Sequence, residues 1–315
     1  MTEQRKLPEP PKTLLERAES MFGLGGYSPA PVPKDLKQPV NRRPKRATPK
    51  GKPVEQAEAG SEPVYEDVEF SGTVHEVDRE CLARHGLIQP EGQVTALLEE
   101  FRIVKRQVLA SVRKAQEGSH GALAQRVLVC SPHPDEGKSY CAANLALAMA
   151  AEKDSEVLLV DADFAKPSLL KMLGLPKGPG FMDILARDDL KVEDCVIATD
   201  IAGLYVLPAG NHTTQDSEYL ASHRTAEVLD RLTRAAPGRI VIFDSPPALA
   251  ASPAAELANH VGQAIVVARA DRTGQSALED ALTLLSACPD LKLLLNAAHF
   301  SPSGRRFGAY YGEGE

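Results

Sequence analysis

Six short apolar runs, none alternating with polar residues, leave this chain few possible folds. They are Val127 to Cys130, Val157 to Val160, Leu204 to Leu207, Ile240 to Phe243, Ala264 to Ala268 and Leu291 to Leu295. A strand with one face in water alternates apolar and polar residues; an unbroken run belongs to a strand covered on both faces. Helical patterns stand between several of the runs, over Ser139 to Ala151, Glu218 to Ala236 and Gln275 to Ser286. Strand and helix in alternation predict an α/β domain, doubly wound, with a mainly parallel sheet and helices on both sides.

The first run leads into Ser131-Pro132-His133-Pro134-Asp135-Glu136-Gly137-Lys138-Ser139, and an alanine-rich helical pattern follows. Strand, loop, Gly-Lys-Ser and helix form the P-loop arrangement, in which backbone N–H groups and a helix N-terminus cradle phosphates. The lysine then reaches the β- and γ-phosphates and the serine ligates Mg²⁺. The candidate nucleotide contacts are Ser131, Pro134, Asp135, Glu136, Gly137, Lys138, Ser139 and Tyr140. The first glycine of the general pattern would fall at Pro132.

Two further runs end in acids. Val160 is followed by Asp161-Ala162-Asp163, and Phe243 by Asp244-Ser245-Pro246-Pro247. Both sets sit at the carboxyl edge of the predicted sheet, where open α/β folds bind ligands. A lone aspartate after a strand is commonly a helix cap. Three beside a P-loop fit a Mg²⁺ and phosphoryl-transfer site, with Asp163 and Asp244 as metal ligands and Asp161 left to handle a proton.

Composition restricts the partners. The longest apolar runs fall far short of the ~20 residues of a membrane helix, and MTEQRKLPEP is not a signal-peptide start. A cytoplasmic location is therefore expected. The five cysteines are scattered without a CxxC pair, which argues against a disulfide framework or a zinc site. A net charge of -7 gives no reason to expect nucleic acid as the main partner.

Ahead of the α/β region the chain changes character twice. Residues 1–24 include a short amphipathic helical pattern, PKTLLERAESMF. Residues 25–63 are rich in proline, glycine and basic residues, too polar to offset ordering entropy, and read as a disordered linker. Residues 64–120 form a helical extension, with apolar positions from Val94 to Val112 at three- and four-residue steps. The P-loop domain is assigned to 121–300 and a flexible tail to 301–315.

Taken together, the motifs resemble those of the bacterial tyrosine kinases of capsule and exopolysaccharide synthesis. Ser131, Pro134, Glu136, Gly137, Lys138 and Ser139 match that family's phosphate loop; Asp161-Ala162-Asp163 with Lys166-Pro167-Ser168-Leu169 matches its second Walker motif. Asp244-Ser245-Pro246-Pro247 matches its Walker B, and Leu207-Pro208-Ala209-Gly210 a further segment. The resemblance spans about residues 80 to 311, with the leading region closest to the soluble, exosortase-associated type. It implies a P-loop NTPase of the deviant Walker A type that uses ATP and Mg²⁺ as an autokinase, with Lys138, Asp161 and Asp163 as catalytic residues and Ser139, Asp163 and Asp244 at the metal. Tyr310 and Tyr311 would be the acceptors. Glu99, Arg102 and Lys105 resemble the family's oligomerisation motif, implying a homo-oligomer, and a separate transmembrane regulator of polysaccharide chain length is implied as activator. Asp135, Ala165 and Pro253 depart from the family pattern. Two other readings stay open at this point: an ATPase switch of the partitioning and division-site class, and a weakly active nucleotide-binding regulatory subunit.

Overall fold

The computed structural model describes residues 68–117, 121–152, 155–234 and 236–298. The leading helix, the linker and the tyrosine tail expected from the sequence lie outside them. The described residues fall within one compact unit, Ser61–Glu315.

Eight strands are formed: β1 (Val74–His75), β2 (Arg126–Cys130), β3 (Glu156–Asp161), β4 (Ile197–Thr199), β5 (Leu204–Leu207), β6 (Arg239–Asp244), β7 (Gln263–Arg269) and β8 (Leu291–Asn296). They lie in one sheet in the order β1-β4-β5-β3-β6-β2-β7-β8. Every pairing is parallel except β4 with β5. All six predicted runs are strands, each within one residue or so of its expected ends. The central ones are buried along almost their whole length, as their unbroken apolar character requires. β1 and β4 had no apolar run to announce them; at two and three residues they are too short to show a period.

The helices are α1 (Arg79–Arg84), α2 (Ala96–Gln116), α3 (Lys138–Ala150), α4 (Leu169–Leu173), α5 (Phe181–Ala186), α6 (Asp216–Leu220), α7 (His223–Thr233), α8 (Pro253–Ala258) and α9 (Gln275–Leu284). The single helix expected over Glu218 to Ala236 is two, because Ser222 is extended (φ -73°, ψ 156°) and separates α6 from α7. Two apolar cores form, one on each face of the sheet. One gathers Phe164, Phe181 and Phe243; the other buries α3 between the sheet and α2. From Cys141 to Ala150 every residue of α3 is buried. Small alanine side chains let that helix lie close to the strands, and the one buried amide, Asn144, accepts a hydrogen bond from the Ile88 N–H at 2.8 Å.

Residues 68–117 are joined to the rest: β1 pairs with β4, and α2 packs on α3. Lys105 on α2 is 7% exposed. Its ammonium donates to the Ala148 carbonyl and pairs with Glu152 at 2.7 Å. The five cysteines are buried and free. Among the described residues no helix is long and apolar enough to cross a membrane.

Candidate active site

Three adjacent strands, β3, β6 and β2, deliver the site to one edge of the sheet. Asp161 at the end of β3 stands opposite Asp244 at the end of β6 in their ladder, and Val129 of β2 stands opposite Asp244 from the other side. The phosphate loop begins two residues after Val129 and ends in α3.

The loop is built around two left-handed residues, Asp135 (φ 62°) and Gly137 (φ 98°). Aspartate tolerates that conformation better than most residues, so the departure at Asp135 keeps the turn. Position 137 favours glycine because of that φ, and a Cβ there would also come within 2.1 Å of the Asn296 amide nitrogen. The Ser131 hydroxyl donates to the His133 carbonyl at 2.7 Å. No amide from Asp135 to Ser139 is engaged by another described residue, and these are the donors a phosphate cradle needs.

Three residues that sequence reasoning missed hold the loop from the far side. Arg269 at the end of β7 donates to the Asp135 carbonyl at 3.0 Å, and Asn296 at the end of β8 donates to the Glu136 carbonyl at 2.9 Å. The Thr273 hydroxyl donates to the Glu136 carboxylate, which also accepts from the His133 N–H at 2.8 Å. Glu136, expected among the nucleotide contacts, is 1% exposed: its carboxylate braces the loop from beneath. Tyr140, also expected there, lines a groove with Leu97, Phe101 and Asn296 between α2 and β8.

Lys138 and the acids do converge. The ammonium lies 2.7 Å from Asp163 and 4.0 Å from Asp244, and also donates to the Ser139 hydroxyl at 3.3 Å. Burial opposes its charge, but Asp244 and Asp163 outweigh that and raise its pKa. Asp244 is fully buried, and neither carboxylate oxygen meets a full hydrogen bond, although the Ser139 hydroxyl stands near enough to favour the charged form. Burial pushes Asp244 up to about 7, against the pull of Lys138.

Asp161, expected to meet an incoming hydroxyl, is 1% exposed, and both its oxygens accept from backbone amides. Oδ1 accepts from the Asp163 N–H at 3.2 Å, and Oδ2 accepts from Ser168 at 3.0 Å and Leu169 at 3.1 Å. Burial raises its pKa to about 6, with those three amides opposing the rise. It fastens the segment from Asp163 to α4, and so aims Asp163 at Lys138.

The donor set fits a magnesium ion. Mg²⁺ binds through one or two carboxylates and substrate phosphates, seldom in an all-protein cage. Asp244 offers two unsatisfied buried oxygens beside Asp163 and Ser139, and no cage of three or more acids, histidines or cysteines occurs among the described residues.

A phosphate loop on a doubly wound sheet, with a lysine and two acids converging at its mouth, defines a P-loop protein of the phosphoryl-transfer class. No protein-family model matches the sequence. Curated relatives do. The tyrosine-protein kinase YwqD of Bacillus subtilis is 30% identical over 217 residues, covering 68% of this chain and 86% of that protein. The putative tyrosine-protein kinase EpsB of Ralstonia nicotianae is 37% identical over 147 residues, 47% of this chain and 19% of its own length. Tyrosine-protein kinase ptk of Acinetobacter johnsonii is 29% identical over 175 residues, 54% of this chain and 23% of its own length. This chain thus spans about a quarter or less of the last two. Among solved structures, the chimerical protein CapA2B2 superposes with a TM-score of 0.55 at 25% identity, over 70% of this chain and 93% of that one. The kinase domain of the Escherichia coli tyrosine kinase ETK shares the fold, with a TM-score of 0.53 at 19% identity over 71% of this chain and 97% of that one. The chain belongs to the bacterial tyrosine-protein kinase family.

Proposed function

We propose that the chain is an ATP-dependent protein-tyrosine kinase that phosphorylates Tyr310 and Tyr311 of a neighbouring copy. The observation that carries this is the meeting of Lys138 with Asp163 and Asp244 at the mouth of a loop whose amides from Asp135 to Ser139 meet no other described residue. The triphosphate lies on the 131–139 loop, held by the amides of 135–139 and the start of α3. Lys138 neutralises charge that shifts to the β–γ bridging oxygen during transfer. Ser139, Asp163 and Asp244 would hold Mg²⁺, which would supply charge neutralisation on the phosphates. Asp161 keeps Asp163 in place, and Glu136 with Arg269, Thr273 and Asn296 keeps the loop open. Catalysis here is chiefly positioning and electrostatics, so a rigid, pre-braced loop is the appropriate device.

Each phosphate adds about -1.5 to -2 charges at neutral pH. Accumulated on an acidic tail, that charge loosens the assembly and lets subunits cycle. Glu99 and Arg102, an i,i+3 pair that stays partly exposed on α2, remain available for a contact between copies. Lys105 does not, being engaged with Ala148 and Glu152. The role in exopolysaccharide synthesis and export, an inner-membrane setting reached through a separate transmembrane chain-length regulator, and the cytoplasmic location rest on the family alone.

The test is purified full-length protein with labelled Mg·ATP, followed by mapping of phosphotyrosine. Label on Tyr310 or Tyr311 that disappears in Lys138→Met supports the kinase. ATP hydrolysis without phosphotyrosine, or binding without turnover, overturns it.

A further inference from the structure

The two ends of the sheet are finished differently. At one, β1 is only two residues long. At the other, β8 runs from Leu291 to Asn296 in unbroken parallel register with β7, and no described strand pairs with its outer side. In a parallel ladder the N–H and C=O of alternate residues turn to the same neighbour. Ala264 donates to the Asp290 carbonyl at 2.8 Å and Ala270 to the Asn296 carbonyl at 2.9 Å, so the even positions of β8 face β7. The N–H and C=O groups of Leu291, Leu293 and Leu295 therefore face outward, and no described residue hydrogen-bonds to them. Leu293 and Leu295 also expose 57% and 63% of their surface, on the same face as Leu291. Natural edges are blunted by shortness, bulges, proline or charge. Here only Lys292 is charged, and it is drawn to Asp290. A regular, apolar, unpaired edge is a template for one more strand.

The occupant that fits is the chain's own tail. The described residues end at Ala298, two positions beyond β8, and Ala297 is left-handed at φ 54°, which ends the extended run. Residues 299–315 follow. Within them Phe307, Ala309 and Tyr311 alternate with Arg306, Gly308 and Tyr310, the period of a strand with one apolar face. Opposed antiparallel to β8, the first three fall on Leu295, Leu293 and Leu291 in turn, the residues whose N–H and C=O groups point outward. That register makes all three hydrogen-bonded pairs and puts the apolar tail residues on the face of the exposed leucines. Shifted by one residue, it does neither. The connection, 297–305, contains Pro302 and Gly304 and has to cross only one interstrand spacing of about 4.8 Å. A segment tethered so closely has an effective concentration of about millimolar, which favours it over a second copy of the chain at micromolar concentration.

We propose that residues 306–311 add to β8 of their own chain as a further, antiparallel strand, with Phe307 and Ala309 covering Leu295 and Leu293. The contact stands on the edge and the tail pattern alone. Its consequence rests on the kinase reading above: a paired tail withholds Tyr310 and Tyr311 from a neighbouring copy, so the supply of acceptor depends on how often the strand peels away.

The chain has no tryptophan, so Phe307→Trp in the full-length protein places the only indole on the proposed strand. Its emission is expected to be blue-shifted from that of a synthetic peptide of residues 299–315 carrying the same substitution. Leu293→Lys combined with Leu295→Lys, both at exposed positions, is expected to abolish the shift and leave the far-ultraviolet circular dichroism unchanged. With Phe307 in place, the amides of Leu293 and Leu295 are expected to exchange about tenfold more slowly than in Ala309→Pro, which removes a ladder donor. An emission equal to the peptide's, a shift that survives both edge substitutions, or equal exchange in Ala309→Pro overturns the contact. A shift lost on dilution gives the edge to a second copy and overturns it too. Labelled Mg·ATP separates the two readings. Phosphotyrosine with a solvent-exposed indole removes the strand and leaves the kinase; a buried indole without phosphotyrosine leaves the strand and removes only its consequence.

Discussion

Asp244→Asn should make the nucleotide-free protein more stable while removing its activity. Asp244 is fully buried without a full hydrogen bond, and its pKa rises from 3.8 to about 7 on folding. For a carboxylate raised in this way the folded state binds the proton more tightly than the unfolded one. The cost of keeping the charge is therefore absent below the unfolded value, grows as pH rises from about 4 to 7, and is full above that. At about 1.4 kcal/mol per pH unit the interval corresponds to about 4 kcal/mol, and local relaxation brings the working figure to about 2–4 kcal/mol. Asparagine keeps the shape and abolishes the charge, and Lys138 still has Asp163 at 2.7 Å. In a domain of this size about 1 kcal/mol moves Tm by 2–4 °C, so thermal melts at pH 8 should show a rise of about 5–15 °C. The difference should shrink steadily towards pH 4. Added Mg·ATP should raise the melting temperature of the unchanged protein and leave that of the variant nearly still. A variant equally or less stable at pH 8, or a gap that does not depend on pH, would refute the reasoning.

Three further outcomes follow from other contacts. Arg126 is 1% exposed and pairs with Asp230 at 2.5 Å; burial lowers its pKa despite that partner. Asp230→Ala leaves the guanidinium in the core without its counter-charge and should cost about 3–5 kcal/mol in urea unfolding. Lys105→Ala removes a buried stem and its bond to Ala148, for a loss of about 1–2 kcal/mol. Glu99→Ala, on the exposed side of the same helix, should change stability by less than about 0.5 kcal/mol while weakening self-association in sedimentation velocity.

The central strands were legible because burial on both faces leaves a mark in every residue of a run. That Lys138, Asp163 and Asp244 meet was legible because each lies at or after the end of such a strand, and parallel strands bring their carboxyl ends to one edge. What the sequence could not reveal is long-range. Asn296 reaches Glu136 across 160 positions, and Arg269 reaches Asp135 across 134; neither has a local pattern that marks it as a brace. Lys105 fits a surface motif by spacing alone, and only the packing of α2 on α3 turns it inward. The break at Ser222 was hidden because α6 and α7 continue the same apolar rhythm. Asp161 and Asp163 look equivalent in sequence, yet one faces backbone amides and the other a lysine.

Lys138 resting on Asp163 amounts to an interlock. While the ammonium occupies that carboxylate, a divalent ion arriving alone meets a neutralised partner and one repelling positive charge. A triphosphate that drew the ammonium away would, in the same motion, free the carboxylate. On the kinase reading, cation and nucleotide would then enter together.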